Sequence, residues 1–289
     1  MKNRIPKYTI KDFKRDFPND AACLDWLREY LYPKGIFCKI CQEVTKHHRI
    51  FSRQSFSCDW CGHHVHPMAG TIFEKSSTPL RYWFHAVYLM ASTRCGISAK
   101  QLERELGVTY KTAWRMFNRI RSLLDEQGGK LRGYVEMDET YVGGRRRGKR
   151  GRGAEGKSIV AGVVERGGRI VARKVINVKA STLLPMLKNS VAPGATVYTD
   201  ELGSYNRVKR LGYRHRTIHH AAHVYVVGDI HTNTVDGFWS LLKRGINGVY
   251  HSVSAKHLQS YLDEYSFRYN HRSDTKPMFK NFLHQVSKG

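Results

Sequence analysis

The sequence predicts an α/β multidomain protein in which an N-terminal zinc ribbon and a helix-turn-helix precede a domain with a mixed β-sheet. Three observations predict this fold: two Cys-x-x-Cys pairs, two short amphipathic helical patterns joined at Gly107, and a change to β-rich segments after Gly129. Apolar residues that recur every three or four positions indicate helices, and alternating ones indicate strands. We therefore expect domains at residues 1–75, 76–129 and 130–289.

The charge of the chain indicates a polyanionic partner. Its 289 residues include 49 Lys and Arg against 24 Asp and Glu, a formal net charge of +25. Such a surplus favours nucleic acid, and an acidic membrane surface is the alternative. The longest apolar run, WFHAVYLMA from Trp83, is too short to span a bilayer, and the N-terminus lacks the apolar segment of a signal peptide. We expect a cytoplasmic protein that binds no membrane.

The first domain begins with a predicted helix, NDAACLDWLREYLY, which Asn19 caps. Two Cys-x-x-Cys pairs follow, and in a cytoplasmic protein they favour a metal site over disulfides. This spacing predicts one structural zinc ion, held by Cys38, Cys41, Cys58 and Cys61. The side chains expected to fill the small core of the ribbon are Phe51, Phe56 and Trp60. The alternative is that a histidine replaces one cysteine, with His63, His64 and His66 as the candidates.

Two amphipathic helices joined by a short turn predict a helix-turn-helix. SAKQLERELG, which Ser98 caps, ends at Gly107, and YKTAWRMFNRIRSLLDEQ follows. In such a motif, the N-terminal residues of the second helix contact bases in the major groove. These residues are Tyr110, Lys111, Thr112 and Arg115, and Arg119 and Arg121 are expected to meet phosphates. The alternative is a three-helix bundle with a solvated basic face.

The last domain is predicted from local patterns. YVEMDETYVGG, SIVAGVVER and RIVARKVIN predict strands, and the last two join at a Gly167-Gly168 turn. STLLPMLKNSV predicts a helix that Ser181 caps, ATVYTDE a strand, and SYNRVKRLG a helix that ends at Gly212. HTNTVDGFWSLLKRG and SAKHLQSYLDEYSFRYNHR predict the last two helices. The last one has an apolar stripe that indicates core packing, formed by Leu258, Tyr261, Leu262, Tyr265 and Tyr269.

Three aspartates of this domain occupy unusual positions. Asp138 lies within a predicted strand, Asp200 ends another, and Asp236 lies on a predicted helix. Aspartate is depleted in strands, and converging buried carboxylates need cations between them. Oxygen-only ligands favour two Mg²⁺ or Mn²⁺ ions, which are suited to phosphodiester chemistry. Lys243, two helical turns after Asp236, is then expected to bind a DNA phosphate beside the ions.

The whole pattern resembles bacterial insertion-sequence transposases that join an N-terminal zinc ribbon to an RNase H-like DDE domain. The resemblance rests on CKIC, CDWC, AGTIFEKSSTPLRYWF, MDETYVGG, YTDELGSY, HTNTVDGFWSLLKRGI and FRYNHR, which together span nearly the whole chain. It implies Asp138 and Asp200 as the first two metal ligands, the third at Asp236, and Lys243 as the basic helper. The third acid departs from the family pattern, because DDE enzymes usually have the longer Glu there. Asn233, one turn earlier, could share or take that ligand role.

A basic, glycine-containing stretch, RRRGKRGRG, follows the first acid-bearing strand. We expect it to become ordered on DNA phosphates, and a solvated loop is the alternative. The basic residues expected to contact DNA here are Arg145, Arg146, Arg147, Lys149 and Arg150, with Arg244 beside Lys243.

The resemblance implies a DNA transposase of an insertion sequence. The ribbon and helix-turn-helix would bind the terminal repeats. The RNase H-like domain would free a 3′-hydroxyl and direct it at target DNA, using two Mg²⁺ or Mn²⁺ ions. We expect a homo-oligomer on double-stranded DNA, associated with the nucleoid when bound. Two alternatives are an inactive DNA-binding regulator derived from a transposase, which the shortened third acid favours, and an RNase H-like nuclease without strand transfer.

Overall fold

The computed structural model describes residues 7–126, 128–143, 156–218 and 232–288. The chain divides into two compact units, one formed by Met1–Leu124 with Ser273–Gly289 and the other by Asp125–Arg272. This division differs from the three predicted domains. The ribbon and the helix-turn-helix fall in one unit, and residues 273–289, which we expected in the last domain, fall in the first unit.

The first unit starts with two helices and the small sheets of the ribbon. Thr9 and Asp12 form a capping box at α1, and Asn19 caps α2 as predicted. The elements are α1 (Ile10–Asp16), α2 (Asp20–Leu31), β1 (Ile36–Cys38), β2 (Glu43–Thr45), β3 (His47–Ile50), β4 (Ser55–Cys58) and β5 (His64–Val65). β1 and β2 form one antiparallel pair, and β3, β4 and β5 form a three-stranded antiparallel sheet.

Three further helices follow, namely α3 (Leu80–Ser92), α4 (Ala99–Leu106) and α5 (Tyr110–Ser122). Ser98 caps α4 as predicted, and Gly107 ends it with a φ of 64°, a left-handed conformation that glycine adopts without strain. Thr109 then caps α5 by accepting a hydrogen bond from the N–H of Thr112. A short turn that contains glycine thus connects α4 and α5, as the predicted helix-turn-helix requires.

The second unit is a mixed α/β structure. Its elements are β6 (Tyr134–Val142), β7 (Ser158–Glu165), β8 (Ile170–Val175), α6 (Ala180–Ser190), β9 (Thr196–Thr199), β10 (Arg214–Thr217), α7 (Asn233–Gly245) and α8 (Leu258–Asn270). The sheet order is β10-β9-β6-β7-β8. β6, β7 and β8 pair antiparallel, whereas β6, β9 and β10 pair parallel, so the predicted mixed sheet is confirmed.

Both faces of this sheet are covered. Val135 and Met137 of β6 belong to a core cluster with α6, whereas Val142 belongs to a second cluster with α7 and α8. Because successive strand residues point to opposite faces, α6 covers one face, and α7 and α8 cover the other. The predicted stripe of α8 is part of the second core: Leu258, Leu262 and Tyr265 are buried, and Tyr269 packs against them.

Several local predictions differ from the structure. The segment predicted as a helix ending at Gly212 forms two short 3₁₀-helices, Gly203–Tyr205 and Val208–Leu211. Ser181 does not cap α6, because the helix already begins at Ala180; Asn177 instead accepts the N–H of Lys179. Directly after α7, the chain continues as a π-helical turn over Ile246–Tyr250.

A ninth helix, α9 (Met278–Val286), was not predicted and belongs to the first unit. Its buried side chains are Phe279, Phe282, Leu283 and Val286. In the described ranges, no helix has both the length and the apolar character needed to cross a membrane.

Candidate functional site

The four ribbon cysteines come together at one point. Their Sγ atoms all lie within 4.8 Å of one another, and the Sγ atoms of Cys38 and Cys61 are 3.5 Å apart, while those of Cys41 and Cys58 are 3.9 Å apart. A tetrahedral zinc ion with Zn–S bonds of about 2.3 Å would separate its sulfurs by about 3.8 Å. The four thiols therefore fit the geometry of one zinc ion.

The backbone around the cysteines forms two similar turns. Four residues after the first cysteine of each pair, Gln42 and Gly62 adopt left-handed conformations with φ values of 59° and 72°. Their N–H groups donate to the carbonyls of Cys38 and Cys58. Thr45 Oγ1 lies 3.1 Å from Cys58 Sγ, and this hydrogen bond, together with those from the backbone of Cys61 and Trp60, lowers the pKa of Cys58 to about 6 from its usual 9. The metal-binding thiolate is thereby favoured.

The aromatic side chains of the ribbon depart from expectation. Phe56 is buried as predicted, but Phe51 and Trp60 are 88% and 67% exposed. Both lie in turns that follow strands β3 and β4, outside the small sheets. Among the described residues, the compact ligand group contains cysteines alone, so histidine is not needed to complete it. His64 Nδ1 instead lies 3.1 Å from the hydroxyl of Ser55.

Helix α5, the second helix of the predicted helix-turn-helix, presents a basic face. Lys111 and Arg115 are exposed, as expected for residues that contact DNA, and Thr112 donates its N–H to the Thr109 cap. Arg115 also donates to the hydroxyl of Thr78, and Arg119 donates to the carbonyl of Ile72.

The position of Arg121 differs from the prediction that this side chain contacts phosphates. It is 2% exposed, and its guanidinium stacks on the ring of Phe117 at 3.9 Å. The helical period turns residue 121 toward the interior, on the side of the buried Phe117.

Asp138 lies in the middle of β6, opposite Gly162 of β7. Trp239 of α7 donates its indole N–H to Oδ2 of Asp138 at 2.9 Å. The indole lies over Gly162, where a Cβ atom would come within 2.6 Å of the ring. The absent side chain of Gly162 therefore gives the indole access to the carboxylate.

Burial raises the pKa of Asp138 from its usual 3.8 to about 7. The negative charges of Glu139 and Asp236 contribute to this raised value, whereas the hydrogen bond from Trp239 opposes it. A carboxyl group in this position is costly to ionise without a nearby cation.

Asp236 lies in the first turn of α7 and lines the same groove as Asp138. This groove has a volume of about 800 Å³ and is also lined by Glu139, Lys243 and Arg244. Carboxylates and cations thus share one open site. Asn233, the alternative ligand, is the first residue of α7 and is exposed, and it is not among the groove's lining residues within the described segments.

Asp200 directly follows β9, the parallel neighbour of β6. Its Oδ1 accepts the N–H of Leu202 at 3.0 Å. Burial raises the pKa of Tyr205 above its usual range, and the charges of Glu139, Asp138 and Asp200 raise it too, so these acids surround one tyrosine. Asp200 is not among the described residues that line the groove.

The three aspartates do not form the ligand set of one shared ion. In the described ranges, the cysteines are the only group of three or more His, Cys, Asp or Glu side chains with all ligand atoms within 4.8 Å. A two-ion site is more extended, because its ions lie about 3.5–4 Å apart and each takes different ligands.

Two further acids of β6 were missed by the sequence reasoning. Glu136 is fully buried and accepts hydrogen bonds from the start of α7, and Glu139 accepts the hydroxyl of Tyr205 at 2.8 Å. The signal was present: YVEMDETYV places three acids in one nine-residue strand, where acids are rare. The basic stretch with Arg145, Arg146, Arg147, Lys149 and Arg150 lies outside the described residues.

The chain is similar to proteins of transposable elements. Residues 130–270 match the family model of the ISXO2-like transposase domain. An uncharacterized protein in the transposable element ISH50 of Halobacterium salinarum is 31% identical over 277 residues, which cover 88% of this chain and 92% of that protein. An uncharacterized transposase-like protein of Haemophilus influenzae is 31% identical over 115 residues, 40% of this chain and 90% of that protein.

Among solved structures, the match to the crystal structure of the Mos1 strand transfer complex covers 74% of this chain and 78% of the Mos1 chain, with 12% sequence identity and a TM-score of 0.31. The Mos1 transposase paired-end complex with the left transposon end gives the same coverage, 13% identity and a TM-score of 0.33. The family match and the nearly full-length relative define the class as transposases. The chain belongs to the insertion-sequence transposases with an ISXO2-like domain.

Proposed function

We propose that this chain is an active, Mg²⁺- or Mn²⁺-dependent DDE transposase with an RNase H-like catalytic unit. It binds the terminal repeats of its element, cuts a phosphodiester bond and joins the freed 3′-hydroxyl to target DNA. The observation that carries the proposal is the groove in which Asp138 and Asp236 lie beside Lys243 and Arg244. Such a groove offers carboxylates to divalent cations and positive charge to the DNA backbone.

The proposed metal ligands are Asp138, Asp200 and Asp236, because oxygen-only sets suit Mg²⁺ and Mn²⁺. When bound, two such ions supply activation of the attacking oxygen and stabilisation of the leaving oxygen. Ionising Asp138 releases the proton that its raised pKa retains, so we expect metal binding and deprotonation to be coupled. Among the described residues, Asp236 lines the groove and Asn233 does not, which supports Asp236 as the third ligand.

The other groove residues bind and orient the DNA in this proposal. Lys243 and Arg244 neutralise phosphates on either side of the scissile bond, and Trp239 holds the carboxylate of Asp138 through its indole N–H. The basic stretch from Arg145 to Arg150 adds phosphate contacts next to β6.

End recognition is proposed for the first unit. Lys111, Thr112 and Arg115 at the start of α5 contact bases, and Arg119 contacts the backbone. The zinc ribbon supports this surface. A homo-oligomer on double-stranded DNA brings the two ends of the element together, and this assembly forms in the cytoplasm at the nucleoid.

The ribbon is proposed to hold one zinc ion. Elemental analysis of the purified full-length chain should find about one zinc per molecule, and Cys58→Ser should lower that value with loss of end binding. A zinc-free protein that binds end DNA normally would contradict this assignment.

The experiment that tests the proposed function is incubation of the full-length protein with end DNA and Mg²⁺, followed by detection of nicked and joined products. Asp236→Asn should abolish both products while leaving end binding intact, because the amide keeps the shape and removes the charge. Asn233→Ala is the matched control on the same helical turn and should retain activity.

Each alternative predicts a different result. Nicks without joined products would support the nuclease, and end binding without either product in Mg²⁺ or Mn²⁺ would support the regulator. If Asp236→Asn cleaves normally while Asn233→Ala is inactive, the third ligand is Asn233.

A further inference from the structure

We propose that Glu136 is a positioning residue that fixes the three acid-bearing segments of the second unit relative to one another. This inference rests on the proposed function, in which Asp138, Asp200 and Asp236 bind metal. It concerns a fully buried carboxylate that touches no metal or DNA in that proposal and acts through its neighbours.

Glu136 caps α7 from outside the helix. Its Oε2 accepts the N–H groups of Thr234 and Val235 at 2.9 and 3.1 Å, and its Oε1 accepts the hydroxyl of Thr234 at 2.8 Å. The N-cap residue, Thr232, makes no side-chain capping bond of its own. The first N–H groups of a helix have no partner within the helix, and this end carries a partial positive charge. A carboxylate there accepts hydrogen bonds from these N–H groups and interacts favourably with the positive charge.

Glu136 also reaches the neighbouring strand through an arginine. Arg166 Nε lies 2.7 Å from Oε1 of Glu136, and its guanidinium stacks 4.1 Å above the ring of Tyr198 on β9. Glu136 and Tyr198 are themselves register partners across the parallel β6–β9 pair. A fully buried charge is costly unless it is paired, so breaking the ion pair between Glu136 and Arg166 is strongly unfavourable.

The residues that these contacts join have the same position in the sequence relative to the predicted metal ligands. Glu136, Tyr198 and Thr234 each stand two residues before an aspartate: Asp138, Asp200 and Asp236. Two residues span about 6.6 Å along a strand and about 3 Å along a helix axis, so Asp138 and Asp236 have little freedom relative to Glu136 and Thr234, and Asp200 directly follows the last residue of β9. Joining the three segments at these points therefore sets the separations of the three carboxylates.

The test uses Glu136→Gln in the full-length protein. Glutamine keeps the shape but has no charge and one acceptor fewer, so it cannot satisfy both the start of α7 and Arg166. The matched control is Glu264→Gln on α8, because Glu264 is also fully buried and pairs with an arginine, Arg268, at 2.6 Å in the same unit.

Two readouts separate positioning from a general loss of stability. Hydrogen exchange at the N–H groups of Thr234 and Val235 reports the cap, and an electron paramagnetic resonance titration with Mn²⁺ reports the ligands. We expect Glu136→Gln to accelerate both exchange rates and to weaken Mn²⁺ binding about 10- to 100-fold, as loss of a ligand's supporting contact typically does. Glu264→Gln should change neither, even if it lowers the melting temperature equally.

The outcomes that overturn the proposal are distinct. Unchanged exchange at the start of α7 in Glu136→Gln would show that the cap is not needed. Faster exchange with unchanged Mn²⁺ affinity, or an equal loss of affinity in Glu264→Gln, would refute positioning of the ligands. Wild-type protein that neither binds Mn²⁺ nor nicks end DNA would overturn the proposed function itself, and this inference with it.

Discussion

Asp138 ionises at a cost that should be visible in the stability of the protein. Its pKa is raised to about 7 in the folded state, against 3.8 ordinarily, with burial as the main cause. Between these pH values, the folded state binds more protons than the unfolded state does. The free energy of unfolding should therefore fall as the pH rises from about 4 to 7.

The substitution Asp138→Asn should remove this decrease in the free energy of unfolding at higher pH. In protein that retains zinc but has no added Mg²⁺ or Mn²⁺, we expect the stability of the variant relative to the wild type to rise by on the order of 3 kcal/mol from pH 5 to pH 8, since this range covers about two units of the pKa shift and one unit corresponds to about 1.4 kcal/mol. Urea unfolding at pH 5 and pH 8 measures the difference. Parallel pH profiles for the two proteins would contradict the raised pKa.

Gly162 and Trp239 should behave as a coupled pair. In Gly162→Ala, the new Cβ would lie 2.6 Å from the indole ring, so we expect about 1–3 kcal/mol of destabilisation and slower nicking as the indole moves off Asp138. Trp239→Phe removes the indole N–H and shortens the ring that clashes. A double-mutant cycle should give a coupling energy of about 1 kcal/mol or more, and additive effects would refute the contact.

Residues whose roles depend on near neighbours were the ones the sequence could predict. The cysteine spacing indicated the metal site because each pair lies within one turn. Glu136 was missed because its partners Arg166 and Thr234 lie 30 and 98 positions away. The prediction that Phe51 and Trp60 fill the core of the ribbon was wrong, since hydrophobicity alone does not show which side of a turn faces a core this small.

At the level of single elements, α5 gives a sharp test of base reading against backbone contact. Arg115→Ala should weaken binding to the element's ends more than to random DNA, because it removes a side chain assigned to bases. Arg146→Ala should weaken both about equally and reduce the salt dependence, because it removes a side chain assigned to phosphate. Competition binding at two salt concentrations measures this.

Arg121→Met provides the control on the same helix. The side chain is buried against Phe117, so the variant should retain end preference in the molecules that remain folded. Equal losses on both DNAs for Arg115→Ala, or a lost preference for Arg121→Met, would contradict the assignment of the exposed face.

The predicted elements fared best where the local pattern was long. Strand β6, helix α7 and the caps Asn19 and Ser98 were found as expected. Short segments were less predictable, because the two 3₁₀-helices before β10 have too few residues to show a period. Helix α9 was missed although Phe279, Phe282, Leu283 and Val286 recur at helical spacing. The π-helical turn after α7 depends on tertiary packing that no local pattern reports.

At the scale of the molecule, α9 ties residues 273–289 to the first unit. Phe279 packs on the rings of Phe13, Phe17 and Tyr88, and Tyr30 donates its hydroxyl to the carbonyl of His284. Removal of residues 273–289 should therefore unfold the first unit. Four large apolar side chains would leave its core, at a cost on the order of 6 kcal/mol.

The truncated protein should lose end binding but keep Mn²⁺ binding, because the second unit remains whole. Gel-shift and Mn²⁺ titrations on the same preparation measure the two properties. Normal end binding after truncation would show that α9 is dispensable, and loss of both properties would show that the second unit also depends on it.

The discontinuity of the first unit has a consequence for synthesis of the protein. As the ribosome translates the chain, the helix-turn-helix emerges early, but α9 follows only after the whole second unit. The nascent first unit therefore lacks part of its core until the segments that bear Asp138, Asp200 and Asp236 have been translated. A polypeptide released between residue 236 and α9 would contain all three acids without a completed first unit, so termination there would not leave a stable form of the unit that we propose to bind the element's ends.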